Sequence, residues 1–281
     1  MIPASHIKKT IDFNARFKGL LEVLKLIAVS QYHILERKFK SFEEFQTLLS
    51  DFFSSIPTEN IHHPFLDPGD KPLGVVAITS DAGLLGGMNA QVMGKALDFV
   101  RQSGGRLVVV GEKGQTYAQD ARIPFSSFSG VLDNERQAQA MELRDFLTQK
   151  VLSGEMGPVK VVYPKALSFV LHRVEVATLI PFTGDDKTVA AGVPDKDVVF
   201  ESRPTQVLEY LVYLLIGQRL YDIFGMSRLA EQAARFTHLE ESCHKIQEMN
   251  QKLLLQYFRR RHEMIDAQMR ELFAARSLYA K

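Results

Sequence analysis

From Thr205 to the last residue, Lys281, the chain contains no proline, and after Gly225 no glycine. Proline and glycine are the residues that most readily break a helix, so the stretch predicts one uninterrupted helix. At about 1.5 Å rise per residue it would be roughly 115 Å long, well beyond the diameter of a compact domain. Such a helix must lie against something, because it carries an apolar side. Leu229, Phe236 and Cys243 are spaced by seven, and so are Leu239, Ile246 and Leu253. These are the two rows of a coiled-coil seam. Asn250, Arg260 and Glu271 interrupt them, so the pattern fits a helix of an ordinary bundle as well as one strand of a coiled coil. The choice turns on whether the rest of the chain supplies a partner.

The first fifty residues supply one. Between Pro3 and Pro57 the only glycine is Gly19, and Leu21, Ala28, Leu35, Phe42, Leu49 and Ile56 recur every seven residues. Phe17, Leu24, Phe45 and Phe52 fill most of a second row, broken by Gln31 and Lys38. This is the cleanest heptad pattern in the chain. It suits a helix buried in its own domain or a mate for the C-terminal helix. Two long seams at opposite ends of one chain favour pairing, and a hairpin-like body makes the pairing antiparallel.

The 281 residues are 46% hydrophobic and 24% charged, with a formal net charge of +1. That is an ordinary soluble composition with no global basic field to favour nucleic acid. The single cysteine, Cys243, allows no internal disulfide and fits a reducing compartment. No apolar run approaches the roughly 20 residues that span a bilayer. The N-terminus lacks the basic bias of a signal or transit peptide, so contact with a membrane is expected only through partners.

Between the helices the pattern changes. Residues 57–73, with Pro57, Pro64, Pro68, Gly69 and Pro72, read as a linker. His62 and His63 within it lack a third ligand nearby and read as solvent-exposed. Residues 74–203 alternate buried-strand and helix patterns. Strands are expected at Gly74–Thr79, Arg106–Val110, Ile123–Phe128 and Val159–Tyr163, with an edge strand at Phe169–Leu179 and a short extended piece at Val198–Phe200. Helices are expected at Met88–Ser103 and Glu135–Leu152. This order predicts a small, mainly parallel, Rossmann-like α/β domain. The fold class is therefore α/β, with residues 1–56 and 204–281 as a long antiparallel coiled coil.

Ser80-Asp81-Ala82-Gly83-Leu84-Leu85-Gly86-Gly87, with Asn89 just beyond, joins the first strand to the first helix of that domain. Backbone N–H groups at such a position can hold phosphate. The spacing matches neither the dinucleotide fingerprint nor a P-loop. The turn is expected to be structural, with Gly83, Gly86 and Gly87 permitting a tight bend and close approach of helix to strand. No nucleophile–base pair or ligand cluster has motif spacing, so no catalytic residue, metal or cofactor is assigned. The residues alone still leave open an α/β nucleotide-binding enzyme with helical dimerisation arms, or a coiled-coil adaptor.

Three separated stretches resemble the gamma subunits of F-type ATP synthases. Ile7-Lys8-Lys9 through Lys25-Leu26-Ile27-Ala28 is similar to the family's N-terminal helix. Ile78-Thr79-Ser80-Asp81, Gly83-Leu84, Gly86-Gly87 and Asn89 resemble its Thr-Ser-Asp-Arg-Gly-Leu-Cys-Gly-Gly-Leu-Asn turn. Ala230-Glu231-Gln232-Ala233-Ala234-Arg235 is similar to its Ser-Glu-x-Ala-Ala-Arg segment, and Gly111-Glu112-Lys113-Gly114 also fits. The chain departs from the pattern at Ala82, where the family has arginine, and at Leu21 and Glu22. Of the family's C-terminal segment it keeps only Arg261 and Ile265, and its end reads Glu271-Leu272-Phe273-Ala274-Ala275. It resembles a divergent member, of the kind found in alternative F-type ATPases.

The resemblance implies a non-catalytic rotor in the central stalk. Its paired helices would turn inside a hexamer of alpha and beta subunits, and its α/β domain would meet the epsilon subunit and the ring of c subunits. The implied place is the cytoplasmic face of a bacterial inner membrane, held there by partners. Rotor contacts are expected at Leu24, Lys25, Arg260, Arg261, His262, Asp266 and Glu271, with Arg260 and Arg261 exposed. Stalk-base contacts are expected at Phe200 and Glu201.

Overall fold

The computed structural model describes residues 3–39, 63–181 and 203–279. Two helices dominate, α1 (Ala4–Phe39) and α5 (Pro204–Tyr279). Between them lie β1 (Gly74–Ile78), α2 (Met88–Ser103), β2 (Arg106–Val110), α3 (Glu112–Asp120), β3 (Phe125–Phe128), α4 (Arg136–Leu152), β4 (Val159–Ala166) and β5 (His172–Ile180). The chain divides into two units, Val29–Arg235 on one hand and Met1–Ala28 with Phe236–Lys281 on the other.

In the larger unit the strands form one sheet in the order β3-β2-β1-β4-β5. The first four run parallel, with Val75 opposite Leu107 on one side and Lys160 on the other. β5 pairs antiparallel with β4 at the edge. All five residues of β1 are buried, as a central strand covered on both faces requires. Successive side chains of a strand point to opposite faces. Val76, Ile78, Val108, Val110 and Val161 thus meet Leu143, Leu147 and Val151 of α4 and Leu208, Leu215 and Ile216 of α5. Val75, Ala77, Val109 and Val162 meet Val92, Met93 and Ala96 of α2 and Ala118 of α3. The start of the long C-terminal helix is therefore a structural layer of the α/β unit. Tyr32 and Leu35 of α1 are also buried in this unit, and Tyr32 packs edge-on against Phe169 at 4.9 Å.

Three readings of the sequence need correction here. α3 was not expected. Its sequence, with Gly114 inside it, has little apolar periodicity, and only Gly114 and Ala118 are buried. The proline-rich stretch before β1 contains Phe65, fully buried in the core. His63 is half-buried rather than exposed: its Nδ1 accepts the Phe65 N–H at 3.3 Å, and burial lowers its pKa. His62, residues 40–61 and residues 182–202, including Val198–Phe200 and Glu201, lie outside the described residues.

In the smaller unit α1 and α5 run antiparallel. Asn14 Nδ2 donates to Asn250 Oδ1 at 2.9 Å, Lys18 Nζ to Gln247 Oε1 at 3.0 Å, and Lys25 Nζ to Glu240 Oε2 at 2.5 Å. Residue numbers fall on one helix as they rise on the other. Ile7, Asn14, Leu21 and Ala28 are the buried row of α1. Leu21 packs with Leu239, Cys243 and Ile246, and half-buried Leu24 leans on this cluster. Of the second expected row, Leu24 reaches the seam and Phe17 is 42% exposed; Phe45 and Phe52 lie outside the described residues.

Candidate functional site

At the carboxyl ends of the parallel strands, the turn after β1 is tied down by side chains. Thr79 Oγ1 donates to the Val110 carbonyl at 2.6 Å and accepts the Gly114 N–H at 3.0 Å. Asn89 Nδ2 donates to Ser80 Oγ at 2.9 Å, and Ser80 Oγ donates to the Ala82 carbonyl at 2.9 Å. Asp81 accepts the Glu112 N–H at 2.8 Å on one oxygen and the Gly130 N–H at 3.2 Å on the other. One carboxylate thus joins the loops after β1, β2 and β3, and it sits at the N-terminus of α3, where a helix favours negative charge.

The glycines expected to make this turn divide. Gly86 has φ +58°, which only glycine adopts without strain. Gly83 and Gly87 are not closely approached: a Cβ on Gly83 would meet nothing within 4 Å, and one on Gly87 only Gln91 at 3.7 Å. Close approach falls instead on Gly111 and Gly114, which press on Thr79, and on Gly130, which presses on the Asp81 carboxylate. Those contacts cross between loops distant in sequence, so no local spacing announces them.

Between β1 and β4 the chain's crossovers change side, and in open α/β sheets ligands bind in the crevice at that point. Here the crevice holds a cavity of about 190 Å³, lined by Thr79, Asp81, Pro164 and Leu132 and by Arg228 and Glu231 of α5. Typical ligand pockets are roughly 300–1,000 Å³. The charged side chains are engaged with each other. Arg228 grips both oxygens of Asp133, at 2.9 and 3.2 Å, and reaches Glu231 at 2.6 Å. Glu231 also meets Arg235 at 2.6 Å, and Arg235 donates to Gln232 at 2.8 Å. Burial opposes the charge on Arg228, but Asp133 and Glu231 outweigh it and its pKa is raised. The C-terminal helix fills this crevice with side chains that serve packing and charge pairing. Glu231 and Arg235 belong to the segment singled out from sequence; Arg228 and Asp133 were missed because they lie 95 residues apart.

On the paired helices, the sequence-predicted contacts separate by environment. The Glu240 hydrogen bond raises the pKa of Lys25, and Lys25 lowers that of Glu240. Lys25 is thus committed to the seam. Arg260 is half-buried and pairs with Glu263 at 2.7 Å, a correction to its expected exposure. Arg261, His262, Asp266 and Glu271 are exposed, and the structure does not bring them together with Lys25.

The larger feature of this unit was not read from the sequence. Phe13, Leu20, Val23 and Leu26 of α1 are each more than half exposed, as are Leu255, Leu272 and Phe273 of α5. Phe258, Met264 and Met269 are exposed nearly as much. Their signal was present in the apolar residues of both helices, all but Met264 falling outside the seam rows. Exposed apolar side chains in this number are the kind of surface that marks a protein–protein contact.

The architecture defines a class: an antiparallel helical pair with exposed apolar side chains, together with an α/β unit whose ligand crevice is lined by ion-paired side chains of its own long helix. The family described as ATP synthase matches residues 4–277. The chain belongs to that family, and its relatives there are ATP synthase gamma chains. It is 27% identical to the gamma chain of Clostridium acetobutylicum, over 95% of this chain and 94% of that one. It is 24% identical to that of Chlorobaculum tepidum, over 94% and 96%. Among solved structures, a chain of the Euglena gracilis mitochondrial ATP synthase (OSCP, F1 and c-ring) matches with a TM-score of 0.68 at 13% identity, covering 98% of this chain and 93% of that one. A chain of the Tetrahymena thermophila central stalk and c-ring matches at 0.62 and 18% identity, over 79% and 99%. Among the described residues no helix is long and apolar enough to cross a membrane.

Proposed function

We propose that this chain is the rotor of an F-type ATP synthase, without catalytic activity of its own. It couples ion flow through the membrane sector to ATP synthesis or hydrolysis in a hexamer of alpha and beta subunits. The observation that carries this reading is the apolar outer face of the helical pair. A shaft enclosed by a ring of partners needs such a surface, and a free-standing enzyme or a coiled-coil arm closed on itself does not. An asymmetric shaft can set identical surrounding sites into different states only through unequal contacts with them. The exposed residues Arg261, His262, Asp266 and Glu271 are the polar contacts assigned to that task, with the apolar residues around them. The α/β unit is assigned to the epsilon subunit and the c-ring, with Phe200 and Glu201 at the base on family resemblance. The chain is held at the cytoplasmic face of a bacterial inner membrane through these partners.

Native mass spectrometry of the chain co-expressed with the alpha and beta subunits of its own organism tests the reading. The expected species has one copy of this chain to three of each partner. Recovery of alpha–beta hexamers that never retain the chain would refute it.

A further inference from the structure

α4 and α5 meet through a repeated contact. The Arg136 guanidinium lies 4.0 Å over the Tyr221 ring, and the Arg144 guanidinium lies 3.6 Å over the Tyr213 ring. The arginines are eight residues apart on α4 and the tyrosines eight apart on α5, in opposite chain order, so one antiparallel register produces both stacks. Beyond the first stack, Arg228 of α5 grips Asp133 just before α4. Tyr213, Tyr221 and Arg228 lie within one stripe of α5, spread over about 22 Å at 1.5 Å per residue. Between the stacks sits Gly217, where an added Cβ would lie 3.0 Å from Met141 and 3.2 Å from Arg144.

Both arginines are more than nine-tenths buried. Around them the interface holds Leu143, Leu147, Leu211 and Leu215, with Asp145 bonded to Arg144 and the charge of Arg136 acting on the Asp222 carboxyl. Buried charges add little net stability over well-packed apolar residues of similar size. What they add is direction. Arg144 donates to the Tyr213 hydroxyl at 2.6 Å and to Asp145 at 2.9 Å, and the Tyr213 hydroxyl donates to the same Asp145 oxygen at 2.6 Å. A helix turned about its axis in a purely apolar groove finds similar contacts one ridge further on. A planar guanidinium stacked on a ring and hydrogen-bonded at its rim has one setting.

We propose that Arg136, Arg144 and Arg228, with Tyr221, Tyr213 and Asp133, form the joint through which α5 passes torque to the α/β unit. The joint rests on the rotor reading. Its arginines are positioning residues: they hold the rotational setting of α5 against α4 and touch no nucleotide.

The double variant Arg136→Met/Arg144→Met keeps volume and burial and removes the directional contacts. In the assembled, membrane-reconstituted enzyme it is expected to retain ATPase activity within about twofold of the parent. The ratio of ions pumped to ATP hydrolysed should fall at least threefold, a readout that a merely stabilising role would not move. In the isolated chain, amide exchange over Tyr213–Tyr221 should quicken at least tenfold while β1 stays protected. If the double variant does not fold, Tyr213→Phe, which keeps the ring and removes the hydroxyl, is read in the same two assays, with a pumping ratio about twofold lower and exchange about twofold faster. A parental pumping ratio or parental exchange rates would overturn the joint alone. Failure of the unmodified chain to join alpha and beta subunits would overturn the rotor reading, and the joint with it.

Discussion

Gly114 lies within a helix, yet its place is set by Thr79, just after β1, and by Val109 of β2. A Cβ there would fall 2.7 Å from Val109 Cγ1 and closer still to Thr79 Oγ1. Both neighbours are buried and have little room to yield, so Gly114→Ala should cost about 1–3 kcal/mol by overpacking. Gly83→Ala, with open space around it, should change stability by less than about 0.5 kcal/mol. Urea denaturation of the two variants checks the contrast, and equal effects would refute the division of the glycines made here. Asp222 gives a pH-dependent counterpart. Burial pushes its carboxyl up to about 6 from 3.8, against the hydrogen bond from Gln218 and the charges of Arg136 and Arg219. The folded state then binds the proton more tightly than the unfolded state, so this group's contribution favours folding as pH falls from about 7 towards 4 and is lost as pH rises through 6. Asp222→Asn should therefore be more stable than the parent at pH 8, with the two converging near pH 4–5. A difference in Tm that stays constant from pH 5 to 8 would contradict this. In the turn itself, position was legible and cause was not. Ser80–Gly87 stood out by its glycines, but Thr79, Asp81 and Asn89 hold it through partners 31, 35 and 49 residues away, as well as within the turn.

Asn14 and Asn250 face each other in the row of Ile7, Leu21 and Ala28, with Asn14 only 8% exposed. A buried polar pair of this kind costs stability and selects one register. Asn14→Leu alone removes the donor to Asn250 Oδ1 while Asn250 Nδ2 keeps the Ile11 carbonyl at 3.4 Å; it should destabilise the helical pair by about 1–3 kcal/mol, whereas changing both to Leu should be near neutral or stabilising. A double-mutant cycle by thermal melts measures the difference, and purely additive effects would show that the two side chains are not coupled. Pairing itself is tested by ending the chain at Arg235. That removes Leu239, Cys243 and Ile246 but none of the buried residues of the α/β unit. Isolated helices owe most of their stability to packing, so amides of residues 4–28 should lose protection while β1 and β2 keep theirs. Protected amides in residues 4–28 would show that α1 stands without its mate. The heptad rows announced the pairing because repetition is local. Leu21 and Ala28 are in the seam and Leu24 leans on it, while Phe17 of the same second row is 42% exposed. α3 escaped notice for the opposite reason, being short, with a glycine inside and only two buried positions.

At the scale of the whole molecule, the apolar outer face of the helical pair is the property that the rotor reading must explain. The exposed apolar residues continue along α5 past the stretch that α1 covers, with Met269 and Leu272 at 49% and 67% exposure. These two are three apart on α5 and so lie on one side of that helix. Neither belongs to a core cluster of either unit. Met269→Glu/Leu272→Glu should therefore leave the isolated chain's melting temperature within a few degrees of the parent, because no buried contact is lost. Inside a hexamer of alpha and beta subunits the same two carboxylates would be moved from water into an apolar collar without partners, which costs several kcal/mol. The variant should join the hexamer poorly, and its stimulation of ATPase should fall by tenfold or more. Arg261→Glu, which reverses one exposed charge and leaves the Arg260–Glu263 pair intact, should assemble at parental yield and lower the ions pumped per ATP hydrolysed. The two variants separate enclosure from polar coupling. Parental assembly and parental ATPase in the double-glutamate variant would mean that nothing encloses this face, and the shaft assignment would fall with it.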